Sequence, residues 1–220
     1  MSATQQTDPT PTVFVVDDDP SARQAITWLL DSAGRRVAAF ASGEAFLQAY
    51  APERCGCLIL DLRMPGMTGL ALQEELLRRG IGLPVIMLTG YGEVAVAVEA
   101  LQRGAVDFIE KPVDGVRLLQ RIDTAIELDA ERRRRESVQR GCASRIGRLT
   151  QREREVMSMV VAGKANKVVA CDLGISQKTV ESHRARVMTK LEVQSLADLV
   201  RLEWVAVHGE PGRGLDQAGA

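Results

Sequence analysis

One pattern limits the fold of this chain more than any other. A short apolar run followed by a stretch of helical periodicity recurs five times between residues 13 and 127. The apolar runs are Val13–Val16, Val37–Phe40, Cys57–Leu60, Val85–Leu88 and Val106–Ile109. The helical stretches are predicted from Pro20, over 43–50, 68–79 and 93–103, and from 115 onward. The stops agree with the periods. Asp19-Pro20 is an N-cap followed by proline in the first helical position, and Gly34, Gly80 and Gly104 sit where helices end. In the first helix Ile26, Leu29, Leu30 and Ala33 fall on one face. Five consecutive β/α units predict a parallel sheet with helices on both faces, a doubly wound α/β fold. Ligands of such sheets bind outside the carboxyl ends of the strands.

The residues with the most chemistry fall at those ends. Asp17, Asp18 and Asp19 follow the first run, Asp61 the third, Thr89 the fourth and Lys111-Pro112 the fifth. In a parallel sheet they share one edge, so several carboxylates, a hydroxyl and an ammonium converge. Clustered carboxylates call for a cation, and an all-oxygen set with few protein ligands suits Mg²⁺. A lysine beside them supplies positive charge for phosphate oxygens. A carboxylate among them can attack phosphorus. Each residue also has a plain role: Asp19 as a cap, Asp61 as a turn starter, Lys111 on the surface. The coincidence of all of them on strand ends favours the chemical reading.

The rest of the chain is built differently. Residues 128–148 are rich in charge and contain Arg132-Arg133-Arg134-Arg135. They are read as an extension of the last helix into a helical linker. The arginines either touch DNA phosphate or form a solvated face paired with Glu131 and Glu136. Residues 149–208 carry no strand pattern and fit helices over 151–162, 166–173, 177–190 and 196–207. Thr150 and Glu153 make a capping box, followed by an apolar stripe of Val156, Met159 and Val160. A short helix with Val168, Val169 and Leu173 meets a turn at Gly174, and Ser176 caps the next helix, with Ala170 small at the crossing. That is the helix-turn-helix pattern. On the second helix Val180, Val187 and Leu191 face inward. Lys178, Ser182, Ala185 and Thr189 lie opposite, flanked by Arg184 and Arg186, a surface suited to the major groove. The alternative is an ordinary helical hairpin with solvated charges. The Gly-rich tail 209–220 is expected to be disordered.

Charge adds a modest pointer. Net charge is −1 overall, −5 over residues 1–125, +3 over 126–148 and +2 over 149–208. A basic second half fits a nucleic-acid partner. No apolar stretch is long enough for a membrane helix, and the polar N-terminus does not read as a secretory signal, so a cytoplasmic location is expected. Cys55, Cys57, Cys142 and Cys171 lack metal-site spacing and are read as small hydrophobes.

Residues 12–127 resemble the receiver domain of two-component response regulators. The matching segments are VVDDDP (15–20), LILDLRMPGMTG (58–69), VIMLTGYG (85–92) and GAVDFIEKP (104–112). The resemblance implies the flavodoxin-like receiver fold and Asp61 as phosphoacceptor. It implies Mg²⁺ (or Mn²⁺) held by Asp18 and Asp61, with Asp17 assisting and the Arg63 carbonyl as a further ligand. Thr89 and Lys111 match the groups that meet the phosphoryl group, Lys111-Pro112 the cis peptide and Phe108 the aromatic switch. Residues 145–207 are similar to the LuxR-type four-helix DNA-binding domain of FixJ/NarL-type regulators. Its expected DNA-binding residues are Asn166, Lys167, Lys178, Thr179, Glu181, Ser182, His183, Arg184, Ala185, Arg186 and Lys190. Glu181 departs from a positive groove face, since it repels phosphate yet can accept from cytosine N4. His183 is read as a packing or phosphate contact and His208 as surface.

The implied activity is phosphorylation-dependent transcriptional regulation, without enzymatic turnover beyond self-phosphotransfer and slow self-dephosphorylation. The implied partners are a histidine kinase, promoter DNA, a second copy on phosphorylation and RNA polymerase as a further candidate, with no membrane. Three other readings compete. A haloacid-dehalogenase-like phosphatase wants a second carboxylate two residues after the nucleophile, and here Arg63 stands there. A dinucleotide enzyme lacks G-x-G-x-x-G after the first strand. A receiver signalling only through protein contacts would show no salt-dependent DNA binding.

Overall fold

The computed structural model describes residues 10–90, 98 and 100–210. The chain divides into two compact units between Arg132 and Arg133. In the first, strands β1 (Thr12–Val16), β2 (Arg36–Phe40), β3 (Gly56–Asp61), β4 (Val85–Thr89) and β5 (Asp107–Glu110) form one sheet in the order β2-β1-β3-β4-β5. All pairings are parallel. Helices α1 (Pro20–Ser32), α2 (Gly43–Ala49) and α3 (Gly69–Arg78) belong to this unit, and α4 (Gly115–Gly147) begins in it. Most of the expected helix over 93–103 lies outside the described residues, with helical backbone at 98 and 100–102. The last strand begins one residue later than its apolar run, at Asp107.

The period of two explains the two layers. Phe14, Val16, Leu58, Leu60, Val85 and Met87 enter one buried cluster, which Phe46 of α2 and Leu72 and Leu76 of α3 complete. Their neighbours Val13, Val15, Cys57, Ile59, Ile86 and Leu88 enter the other, with Ile26 and Leu30 of α1 and Leu118 and Ile122 of α4. Central strands buried on both faces read as unbroken apolar runs. Fully burying each such side chain contributes about 1.5–3 kcal/mol.

Local signals act as expected. Asp19 caps α1 by accepting from the Ser21 amide, and Gly34, Gly80 and Gly104 all have positive φ. Gly69 starts α3 so close to β3 that a Cβ there would lie 2.4 Å from the Asp61 carbonyl oxygen. Only glycine permits that approach, so α3 is set directly behind Asp61.

The second unit holds the end of α4, then α5 (Gln151–Val161), α6 (Asn166–Leu173), α7 (Gln177–Leu191) and α8 (Leu196–His208). The region read as a linker is one continuous helix through Gly147. The Thr150–Glu153 capping box, the left-handed Gly174 and the Ser176 cap are all present. The expected stripe is extended and trimmed. Met157 joins Val156 and Val160 among the buried residues with Met159 partly buried against them, and Val168 is exposed while Val169 is fully buried. Residues 211–220 of the tail lie outside the described residues, but its start is ordered: Gly209 is buried and Glu210 pairs with Arg134 at 3.0 Å. Among the described residues no helix is long and apolar enough to cross a membrane.

Candidate functional site

The parallel register carries Asp17, Asp61, Thr89 and Lys111 to one edge of the sheet. Val16 is level with Leu60, Asp61 with Leu88 and Thr89 with Glu110. Asp17, Asp61 and Thr89 are buried, at 0%, 6% and 3% exposure, while Asp18 is exposed. One carboxylate oxygen from each of Asp17, Asp18 and Asp61 lies within 4.8 Å of the others. Lys111 spans two of them. Its Nζ donates to Asp17 Oδ2 at 2.9 Å and to Asp61 Oδ1. Lys111-Pro112 is cis, and the Lys111 amide donates to the Thr89 carbonyl at 2.8 Å. Phe108 is half-buried and packs on the core layer of Phe14 and Leu60.

Backbone donors hold the carboxylates. The Asp19 amide donates to Asp17 Oδ1 and the Arg63 amide to Asp61 Oδ2, both at 2.9 Å. Arg23, which the sequence reading passed over, donates from Nη1 to the Asp17 carbonyl at 2.6 Å. Only its place one turn into α1 hinted at it. Burial pushes the Asp61 carboxyl above the ordinary aspartate range, with Asp17 adding to the rise, while Lys111 and the Arg63 amide oppose it. Burial pulls the Lys111 ammonium down, but Asp61 and Asp17 outweigh this and hold it above its ordinary value.

Three crowded acidic oxygens with a single lysine fit a hard divalent cation. The donors are all oxygen, as Mg²⁺ prefers, and Asp18 faces solvent, which would supply the remaining water ligands.

The residues expected at DNA separate into two groups. Lys167, Lys178, Thr179, Glu181, Ser182, Ala185 and Arg186 are exposed. The others are engaged within the unit. Half-buried Arg184 donates to Asn166 Oδ1 at 2.6 Å, and Lys190, although itself exposed, donates to Glu153 Oε2 at 2.7 Å. His183 is half-buried, with its Nδ1 shielded. His208 is exposed and stacks on Trp204. Cys57 is fully buried, and burial pushes its thiol up to about 12, whereas Cys171 is exposed.

Comparison with known proteins fits both units. Residues 13–123 match the response regulator receiver domain, and residues 147–203 match the bacterial regulatory proteins of the luxR family. The chain is 45% identical over 194 residues to the transcriptional regulatory protein FixJ of Azorhizobium caulinodans, covering 88% of this chain and 92% of that protein. This chain belongs to the response regulators with a LuxR-type DNA-binding domain. Nodulation protein W of Bradyrhizobium diazoefficiens is 42% identical over 190 residues, with 86% of this chain and 84% of that protein covered. Among solved structures, response regulator StyR superposes with a TM-score of 0.78 at 43% identity, over 88% of this chain and 98% of that one. Full-length FixJ from B. japonicum gives 0.55 at 40% identity, over 90% and 97%. This response regulator is a transcriptional regulator. Its receiver implies a histidine kinase partner and its LuxR-type unit implies DNA.

Proposed function

We propose that a phosphorylated histidine kinase transfers its phosphoryl group to Asp61, and that this drives dimerisation and promoter binding. The observation that carries the proposal is the bridge from Lys111 to both Asp17 and Asp61 at the carboxyl ends of the strands. An Asp61 carboxylate oxygen forms a bond to phosphorus as the phosphorus–nitrogen bond of the phosphohistidine breaks. The electron pair leaves with the imidazole, which takes a proton from water. Asp18 and Asp61 would hold Mg²⁺ (or Mn²⁺), with Asp17 assisting and the Arg63 carbonyl as a further protein ligand. The ion would neutralise charge on the transferring oxygens.

Once Asp61 carries the phosphoryl group, one of its oxygens no longer serves Lys111. The ammonium turns to the new phosphoryl oxygens, which carry more charge. Thr89 donates its hydroxyl to the same group, and Phe108 follows on the strand that leads to Lys111. The phosphorylated receiver pairs with a second copy, and α7 enters the major groove of promoter DNA, where contact with RNA polymerase follows. No turnover occurs beyond self-phosphotransfer and slow self-dephosphorylation.

The test is labelling by acetyl phosphate. The wild-type chain takes up one phosphoryl group only with Mg²⁺ present, and Asp61→Asn takes up none while its circular dichroism is unchanged. Undiminished labelling of Asp61→Asn overturns the assignment.

A further inference from the structure

We infer that Arg184 and Lys190 are positioning residues, struts that fix the recognition helix α7, and that neither contacts DNA phosphate. The inference rests on the placement of α7 in the major groove and goes beyond it by dividing the cations of that helix by task.

Arg184 sits in the inner stripe. The buried residues of α7 are Val180, Val187 and Leu191, and Arg184 falls between the first two at a spacing of four and then three. That is the core face of an α-helix. Its stem lines a small apolar cavity with Val156, Met157, Val160 and Leu199. Its guanidinium ends on Asn166, the first residue of α6. Lys190 lies in the last turn of α7 and ends on Glu153 in the first turn of α5. Glu153 is 3% exposed, and its same Oε2 accepts the Thr150 amide at 2.8 Å.

A third tie closes the set. Arg152 of α5 donates from Nη2 to the carbonyl of Leu173, the last residue of α6. Each pair of the three helices therefore has one polar link: Arg152 for α5 and α6, Asn166–Arg184 for α6 and α7, and Glu153–Lys190 for α5 and α7. Hydrogen bonds between fixed partners add a directional restraint to that of the apolar packing. Drawing Lys190 away to a phosphate would leave the buried Glu153 carboxylate without its cation, a loss that an exposed phosphate contact does not offset. Lys178 and Arg186 are exposed and carry no such link among the described residues. They remain for phosphate, and the groove face is left to Glu181, Ser182 and Ala185.

The two roles differ in salt dependence. A lysine that neutralises phosphate adds about 0.9 to the slope of log affinity against log salt, and a strut adds nothing. The full chain is titrated with a random-sequence duplex over a range of salt. Lys190→Gln is expected to weaken binding several-fold with the slope unchanged, and Arg184→Met to do the same. Lys178→Gln lowers the slope by about 0.9. Glu153→Gln leaves every cation of α7 in place and is expected to weaken binding, because the strut loses its anchor. A slope lowered by Lys190→Gln, or an affinity raised or unchanged in Glu153→Gln, overturns the inference. If Glu153→Gln does not fold, the Lys190→Gln slope decides alone, because Thr150 and Glu153 still cap α5 in that variant. Failure of the groove placement itself shows separately, as an unchanged slope in Lys178→Gln.

Discussion

Asp61 and Glu153 are both buried carboxylates that meet a lysine, and they are driven in opposite directions. Asp61 ends a strand in the receiver, where burial outweighs Lys111 and lifts the carboxyl above its ordinary range. Glu153 opens a helix in the DNA-binding unit. There Lys190 and the Thr150 amide outweigh burial and lower it to about 2. The difference lies in how many partners are shared. Lys111 divides itself between Asp61 and Asp17, so two acids compete for one cation. Glu153 has a lysine, a backbone amide and a capping hydroxyl around it. A buried carboxylate with its partners complete is a fixed joint. One left short of positive charge is poised for a further cation or an electrophile.

The contrast breaks first at the lysines. Lys111→Gln leaves Asp17 and Asp61 without their shared cation and removes the group that would meet phosphoryl oxygens. Initial acetyl-phosphate labelling should fall by about 100-fold or more, the loss usual for one stabilising donor in such a site. Lys190→Gln should leave labelling unchanged. Equal labelling in wild type and Lys111→Gln would show that Asp61 is not short of charge.

Acid titration sharpens the contrast next. Glu153 has a folded value of about 2 against an ordinary 4.5, so its stabilisation is complete above about 4.5 and is lost as pH falls toward 2. Asp61 has the opposite sign. Its folded value is raised, so it contributes stability below its ordinary 3.8 and loses it as pH rises through the folded value. At neutral pH, Asp61→Asn should therefore raise the melting temperature of the receiver, with Lys111 still held by Asp17. Glu153→Gln should destabilise the helical unit by about 1–2 kcal/mol and lower its melting temperature. Thermal unfolding of both variants at pH 7, and carboxyl chemical shifts followed into acid, test both signs. A destabilised Asp61→Asn or a Glu153 midpoint near 4.5 would erase the distinction.

These signs trace how much could be read beforehand. Strand ends are legible because proline, glycine and the apolar period mark them, so Asp17, Asp61, Thr89 and Lys111 could be brought together from the sequence. The α-helical inner face was less legible. Arg184 is expected on the flank of the outward stripe, yet its spacing from Val180 and Val187 is that of the core. Lys190 and Glu153 are 37 residues apart, and no local pattern joins them. Asp129 was missed for the same reason. It is 1% exposed, and its carboxylate takes the Gly56 amide at 2.9 Å and Arg132 at 2.6 Å, tying α4 to the start of β3. A long-range hydrogen bond to a backbone amide leaves no trace in composition. Gly56 itself is required for a separate local reason: its φ is +138° and a Cβ there would lie 1.8 Å from the Thr12 carbonyl oxygen.

The smallest effect concerns two helix caps that look alike. Ser176 caps α7 through the Thr179 amide at 3.1 Å, and Asp19 caps α1 through the Ser21 amide at 2.9 Å. Ser176→Ala should cost about 1 kcal/mol, the usual loss for such a cap. Asp19→Ala loses an equivalent hydrogen bond but should cost less. Its backbone amide, which holds Asp17, is untouched by the substitution. The change also removes a negative charge from a loop that already carries Asp17 and Asp18, which relieves repulsion near the buried pair. Amide exchange in the first turns of α1 and α7, followed in the full chain, measures both losses in one sample. A larger loss at α1 would mean that Asp19 stabilises the loop through its charge, and that the acidic crevice is less short of positive charge than the Lys111 bridge indicates.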